Sequence, residues 1–461
     1  MDPKGVRQSA GKKPLGSESG ELRIVGGGTL RGTVRVPGDK SISHRAVMLG
    51  GLASGASHIH GFLPSGDCLA TVACMRALGV HVEELGPPGP DGQMLLVFGQ
   101  GLYGLRPPAT ALDCVRSGTT MRLLAGILAG QEFGPAPVVL TGAPQLRARP
   151  MRRITDPLRA AGAQIEDLDG KAPLTIRGSL LRGVEHRLAV ASAQVKSALL
   201  LAGLYANGPT IVRQCGPARD HTERMLAAMG VEITVEGLDV RMAPPALLSP
   251  LRLTVPGDFS SAAFLLVAAL VMPGAEVTIE GVGVNPTRTG LLDVLRAAGA
   301  RPDRIVIQNE RQEGGEPLAD LIVRGPSSEE RGLRGTTVQG DTVVRMIDEF
   351  PILAVAATQA QGQTLVRDAA ELRVKETDRI AAVVDELTKL GAQIEAREDG
   401  FSVTGPTPLH GATVDSHGDH RLGMALAVAG LLAQGETVVQ GAECIGDSFP
   451  GFGELLASIR F

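Results

Sequence analysis

The chain has 461 residues, too many for one ordinary hydrophobic core, so two domains are expected. Its 43% hydrophobic and 20% charged residues suit a globular protein, and a net charge of -4 does not call for nucleic acid or an anionic membrane as partner. No run of eighteen apolar residues occurs, and Cys68, Cys74, Cys114, Cys215 and Cys444 fall in no zinc spacing, so a membrane span is excluded and reduced thiols in a cytoplasmic protein are expected.

In chain order, residues 1–20 are polar, lack an apolar leader core and read as a disordered extension. ELRIVGGGTLRGTVRV, from Glu21, reads as two strands about a glycine turn; a dinucleotide-binding loop does not fit, because no helix follows at the right spacing. The phrase VPGD then appears at Val36 and again at Val255, each time ahead of small apolar residues closing on Gly. Looser copies bring such helices to six, starting near Ser41, Gly118, Ser192, Ser260, Phe350 and His420, about 70 to 90 residues apart. After each closing Gly comes a short alternating strand, from ASHIHGF at Ala56 to ETVVQGA at Glu436. An amphipathic helix follows, five times ending at a Gly stop such as RALGV or RAAGA. The unit is helix, strand, helix, strands, with three copies between the VPGD phrases and three after the second. The two Pro-Gly pairs read as two parallel crossings between lobes, with the strands from Glu21 belonging to the C-terminal lobe.

The first helix of each unit is apolar on nearly all faces, so it is expected to be buried, with polar residues confined to its first turn. A helix start carries unpaired N–H groups and about half a positive charge, so six starts converging on one cleft would form an anion trap. The first turns carry Lys40, Ser41 and Arg45; Arg116, Thr119 and Arg122; Ser192, Gln194 and Lys196; Asp348 and Glu349; Asp419, His420 and Arg421. Loops add Arg147, Arg149, Arg219, Arg373, Lys375, Glu376 and Arg379. Singly, each has a bland account: a solvated surface charge, an N-cap at Asp348 ahead of Pro351, a cap and a satisfied histidine at Asp419-His420. Recurring at matched points of a repeat, the cations imply a ligand with several negative charges. Asp348 and Glu376 among them suggest proton transfer.

Taken together, GDKSISHRAVM, SGTTMR, RARPM, SAQVKSALLLA, DEFPILAVAA, RVKETDRI and GDHRLGMALA resemble the EPSP synthase family of enolpyruvyl transferases, from Glu21 to the end. The resemblance implies a two-lobed inside-out α/β barrel of six βαβαββ units, three per lobe. The lobes would be residues 38–256, and residues 21–37 with 257–461. It implies transfer of the enolpyruvyl group of phosphoenolpyruvate to the 5-hydroxyl of shikimate 3-phosphate by addition and elimination, in a cytoplasmic monomer without metal or cofactor. By motif, Lys40, Ser41, Arg45, Ser192, Gln194, Arg219, Asp348 and Lys375 would contact shikimate 3-phosphate. Lys40, Gly118, Arg122, Arg149, Gln194, Arg379 and Arg421 would form the phosphoenolpyruvate site. Asp348, Glu376 and Lys40 would be catalytic, Asp348 taking the hydroxyl proton and Glu376 serving the methylene carbon. Gly118, where some members have Ala, implies sensitivity to glyphosate.

Three positions depart from the family pattern. Val115-Arg116 replaces Gly-Asn, Ala218 replaces a Ser, and Asp447 stands where some members carry a Lys. Arg116 and Asp447 have opposite charges suited to pairing. A sister enzyme acting on UDP-N-acetylglucosamine fits less well, since Lys40-Ser41 stands in place of Lys-Asn and no loop Cys is at the right place. A six-unit ring binding DNA fits the cations but not the net charge or the 3% aromatic content.

Overall fold

The six small-residue helices form where their pattern places them. The structure, a computed structural model, describes residues 20–87, 89, 92–134, 136–327 and 332–461; residues 1–19 of the expected extension lie outside these. The helices span Lys40–Leu52, Gly118–Ala129, Ala193–Gly203, Phe259–Val271, Phe350–Thr358 and His420–Leu432. Ala, Leu and Met favour helix, and five of the six starts carry a side-chain cap: Asp39, Ser117, Ser192, Asp258 and Asp419 each accept a backbone N–H from the first turn. As expected they are enclosed: every residue from Phe350 to Thr358 is buried, as is every residue from Phe259 to Leu270. Small residues let such helices approach closely. A Cβ at Gly126 would lie 2.2 Å from the carbonyl oxygen of Ala198 on the neighbouring helix, so no side chain fits there.

The strands repeat one arrangement. In five four-stranded sheets, the strand after the core helix pairs parallel with a short strand on one side and antiparallel on the other. Val138–Thr141, for example, takes Leu112–Asp113 in parallel and Lys171–Arg177 in antiparallel register, with Gln164–Leu168 beyond. The sheet of the sixth unit has three strands: Glu436–Gln440 holds Thr413–Asp415 in parallel and Glu21–Val25 antiparallel; Leu181–Arg182 and Ala206–Asn207 form a separate two-stranded sheet. The last repeat is thus completed by the first described strand.

Buried apolar residues gather in two clusters. One draws on residues between Ile42 and Val255; the other joins Leu22–Val36 to Phe259–Ile459. Each crossing between these cores runs from a strand of one to a helix of the other. Arg31–Arg35 pairs with Glu276–Gly283, yet leads into Lys40–Leu52; Arg252–Thr254 pairs with Ala56–Phe62, yet leads into Phe259–Val271. The crossings are antiparallel rather than parallel: Gly38 and Gly257 form an antiparallel bridge, because the chain leaves by one and returns by the other. The Asp39 N–H donates to the Pro256 carbonyl and the Asp258 N–H to that of Pro37, both at 2.8 Å. Gly38 is required here, since a Cβ would lie 2.0 Å from the Gly61 carbonyl oxygen. Beside the crossings Arg288, 3% exposed, donates to Asp39 Oδ2 (2.8 Å), Asp258 Oδ1 (2.9 Å) and Ser260 Oγ (2.8 Å). The two aspartates therefore cap the helices on either side and share one buried guanidinium.

Candidate active site

Three of the six helix starts carry an aspartate cap, Asp39, Asp258 and Asp419, which answers the positive helix end with a negative charge. The Phe350–Thr358 start is preceded by Glu349, not Asp348, as its cap residue; Glu349 bonds Ser260 Oγ. Only the starts of Gly118–Ala129 and Ala193–Gly203 have neutral caps, Ser117 and Ser192. Both are in the first core. The expected trap of bare backbone is thus mostly closed off, and side-chain cations carry the positive charge of the cleft.

Those cations gather on two carboxylates. Asp348, freed from capping, accepts from Arg219 through Oδ2 and from Arg379 through Oδ1 (3.2 Å). Arg421 Nη2 and Lys375 Nζ stand 3.6 and 3.8 Å from its oxygens. Burial alone would raise its pKa, but Arg421, Arg219, Lys375 and Arg379 overcome this and hold the carboxyl well below the usual range. Glu376 is flanked by Arg149 Nη2 (2.9 Å) and Arg379 Nη2 (2.8 Å). Burial is again outweighed, here by Arg379, Arg149 and Lys375. Arg379, 1% exposed, ties the group together, since its Nε also donates to Asp419 Oδ2 at 2.7 Å. Arg149 and Arg219 come from the first core and the two acids from the second, so the cleft is made where the cores meet. Arg149, Arg219, Arg379, Arg421 and Lys375 each face at least one of the two carboxylates.

A second group surrounds Gly118. Arg122 donates to Gln194 Oε1, and Gln194 Nε2 donates to Thr119 Oγ1 at 3.0 Å. Burial and the neighbouring Arg149 and Arg153 draw Arg122 down to about 10. Arg149 links the two groups. Lys40 Nζ lies 2.6 Å from Asp67 Oδ2; burial would lower its pKa, but Asp67 raises it. Ser41 is half-buried in the first turn of its helix, and its carbonyl accepts from Arg45 (2.8 Å). Arg45 also donates to Thr222 and Ser197, both at 2.7 Å, so its three nitrogens join three helices. Lys196 is taken up by Glu223 (2.6 Å) and the Ala218 carbonyl.

Some residues lie beyond the sequence reading. Arg373, expected at the cleft, instead ties its segment to the end of the strand Gln393–Arg397, donating to the Glu398 and Arg397 carbonyls, and also donates to Asp378. Asp67 and Arg288 begin no core helix, so the repeat does not mark them; the signal for Asp67 is an acid in the first turn of Gly66–Ala77. His420 is buried and kept neutral, its pKa pushed well down by burial and by Lys40 and Arg421.

These environments set a pH dependence. The stability contributed by Asp348 and Glu376 is complete above their ordinary values of 3.8 and 4.5 and is lost as pH falls through the lower folded values. Burial drives His44 from 6.5 to about 3, so in that interval the unfolded chain binds a proton that the folded chain refuses. Both effects have the same sign. The midpoint of thermal unfolding is expected to fall steadily from pH 6.5 toward pH 3, and a flat profile would contradict these assignments.

Comparison with known proteins agrees across the chain. The family model described as EPSP synthase (3-phosphoshikimate 1-carboxyvinyltransferase) matches residues 24–456. A 3-phosphoshikimate 1-carboxyvinyltransferase of Herpetosiphon aurantiacus is 53% identical over 436 residues, covering 94% of this chain and 97% of that protein. One from Brevibacillus brevis is 50% identical over 440 residues, covering 95% and 99%. A solved EPSP synthase structure from Acinetobacter baumannii superposes with a TM-score of 0.83 at 42% identity, covering 95% of this chain and 98% of that one.

Proposed function

The chain belongs to the EPSP synthase family, and from that membership we propose how its cleft divides the work of the reaction. The enzyme transfers the enolpyruvyl group of phosphoenolpyruvate to the 5-hydroxyl of shikimate 3-phosphate and releases phosphate, a step of the shikimate pathway to chorismate and the aromatic amino acids. The two cores are taken as the two lobes of an inside-out barrel, residues 38–256 forming one and residues 21–37 with 257–461 the other. It works as a cytoplasmic monomer, with every site residue supplied by one chain and no metal or cofactor in the scheme.

The observation that carries this reading is the pair of acids, Asp348 and Glu376, held among cations from both cores. Both substrates are highly charged anions, and they compete with these acids for the same side chains. Lys40, Ser41, Arg45, Ser192, Gln194, Arg219 and Lys375 receive shikimate 3-phosphate. Gly118, Arg122, Arg149, Arg379 and Arg421, with Lys40 and Gln194, receive phosphoenolpyruvate. As Arg219, Arg379 and Arg421 turn to the substrates, Asp348 loses the charges that depress it and becomes basic enough to take the 5-hydroxyl proton. As Arg149 and Arg379 turn away, Glu376 rises likewise, toward a value at which it can carry the proton that the methylene carbon receives. In the elimination step Glu376 takes a proton back from the methyl group and Asp348 gives the hydroxyl proton up to the departing phosphate, which the arginines stabilise. Closure of the lobes excludes water from the intermediate.

Phosphate release from phosphoenolpyruvate, measured with each acceptor in turn, tests the reading. Release is expected with shikimate 3-phosphate and not with UDP-N-acetylglucosamine; the reverse would overturn it. Gly118 gives a second check. A Cβ there would lie 3.1 Å from Arg149 Nη1 and 3.2 Å from Arg122 Nη1, so Gly118→Ala pushes both guanidinium groups off position. Its KM for phosphoenolpyruvate is expected to rise about tenfold, with a larger loss of glyphosate inhibition, in steady-state assays. Unchanged inhibition would remove Gly118 from the site.

A further inference from the structure

Arg116 and Asp447, which the sequence marks as suited to pairing, meet in space. Arg116 Nη1 lies 3.3 Å from Asp447 Oδ2, and the partners belong to opposite cores. Arg116 directly precedes Ser117, the cap of Gly118–Ala129; Asp447 ends the short 3-10 helix Ala442–Asp447. Asp447 also has a second neighbour in the first core. Its Oδ1 is 3.5 Å from the place of a Cβ on Gly66, the first residue of Gly66–Ala77; burial and the Asp67 charge raise the Asp447 pKa, and Lys40 and Arg116 oppose this. The next residue on that helix is Asp67, which holds Lys40. The one carboxylate from the second core thus sits between the loop before Gly118 and the helix that positions Lys40.

We propose that Arg116 and Asp447 form a closure latch that sets the spacing of the two cores on the phosphoenolpyruvate side of the cleft. The pair exists only when the cores are together, and both its members adjoin residues of that site without belonging to it. They are positioning residues, acting through Gly118 on one side and through Asp67 and Lys40 on the other. Opening the cores separates the charges, so the latch adds to closure and lowers the concentration of phosphoenolpyruvate needed to reach it. The proposal rests on the enolpyruvyl-transfer reading of the cleft.

A double-mutant cycle tests it, using Arg116→Gln, Asp447→Asn and the two combined. Each single variant is expected to raise KM for phosphoenolpyruvate about threefold to fivefold, the range open to a partly exposed ion pair. The kcat and the KM for shikimate 3-phosphate are expected to stay within about twofold of the parent values. Because the two residues act on each other, the combined variant is expected to be no worse than the worse single one. Added salt is expected to raise KM for phosphoenolpyruvate in the parent more than in the combined variant. Single variants without effect, effects that multiply, or equal losses in kcat and both KM values would each overturn the latch. Should the parent release no phosphate from the two substrates, the reading of the cleft fails instead. The latch is then judged by small-angle X-ray scattering: the same non-additive expansion in the four proteins supports it, and its absence overturns it.

Discussion

Asp348→Asn is expected to lower the rate of phosphate release about a thousandfold, the scale set by loss of a general base, while shikimate 3-phosphate binds at least as tightly as to the parent. The substitution keeps the shape of the side chain but leaves one acceptor oxygen where Arg219 and Arg379 each had their own, and it removes both the charge and the proton-accepting oxygen. Four cations, Arg219, Arg379, Arg421 and Lys375, then lose an anionic competitor that burial cannot replace. An incoming phosphate or carboxylate meets them with less opposition, so calorimetry should show an affinity equal to or higher than that of the parent. This separates the base from a residue that merely organises the site, whose loss would weaken binding and turnover together. Full activity of the variant would remove Asp348 from the mechanism.

The second large effect is on stability, and it lies at the crossings. Arg288→Met is expected to cost about 3–5 kcal/mol in urea unfolding, the range for removing one partner from a buried charge cluster. Arg288 is enclosed with Asp39 and Asp258, which are themselves buried. Burial alone would raise Asp39; the Arg288 charge is the largest of the influences that lower it. Neither aspartate is free to turn to water, because Asp39 accepts the Ile42 N–H while Asp258 accepts those of Ser260 and Lys40. The methionine fills the volume and leaves two carboxylates facing each other. A cost below about 1 kcal/mol would mean that the cluster relaxes, contrary to this account.

The six enclosed helices were legible because nothing else explains small apolar residues running to a Gly stop at a regular spacing. Gly118 begins its helix where the pattern begins. The strands after them were legible for the same reason, since ASHIHGF and ETVVQGA alternate cleanly. Strand order was not, because parallel pairing of Leu112–Asp113 or Thr413–Asp415 rests on two or three residues with no periodicity of their own. In the cleft, the sequence brought forward the charged residues but not their partners. Arg45 looks like a ligand-binding cation, and in the fold all three of its nitrogens bond to protein groups. Arg373 looks the same and ties its segment to a strand end. Lys40 with Asp67 and Arg288 with Asp39 and Asp258 show why: a buried cation needs polar partners, and they arrive from other segments of the chain. Ser117 and Ser192 differ from Asp39, Asp258 and Asp419 as caps by one letter each, yet that letter decides which helix ends remain positive.

The route of the chain through its two crossings has a consequence for synthesis on the ribosome. Every strand of the sheet holding Ala56–Phe62 lies between the crossings, so the inserted half can finish folding while the remainder is still being translated. The host half has no such freedom. Glu21–Val25 is made ahead of the inserted half and pairs with Glu436–Gln440, made well after it, so its edge stays unpaired until that strand has emerged. A nascent polypeptide arrested between the second crossing and Glu436 carries one completed globule and one open sheet, and it is the open sheet that a chaperone would have to shield.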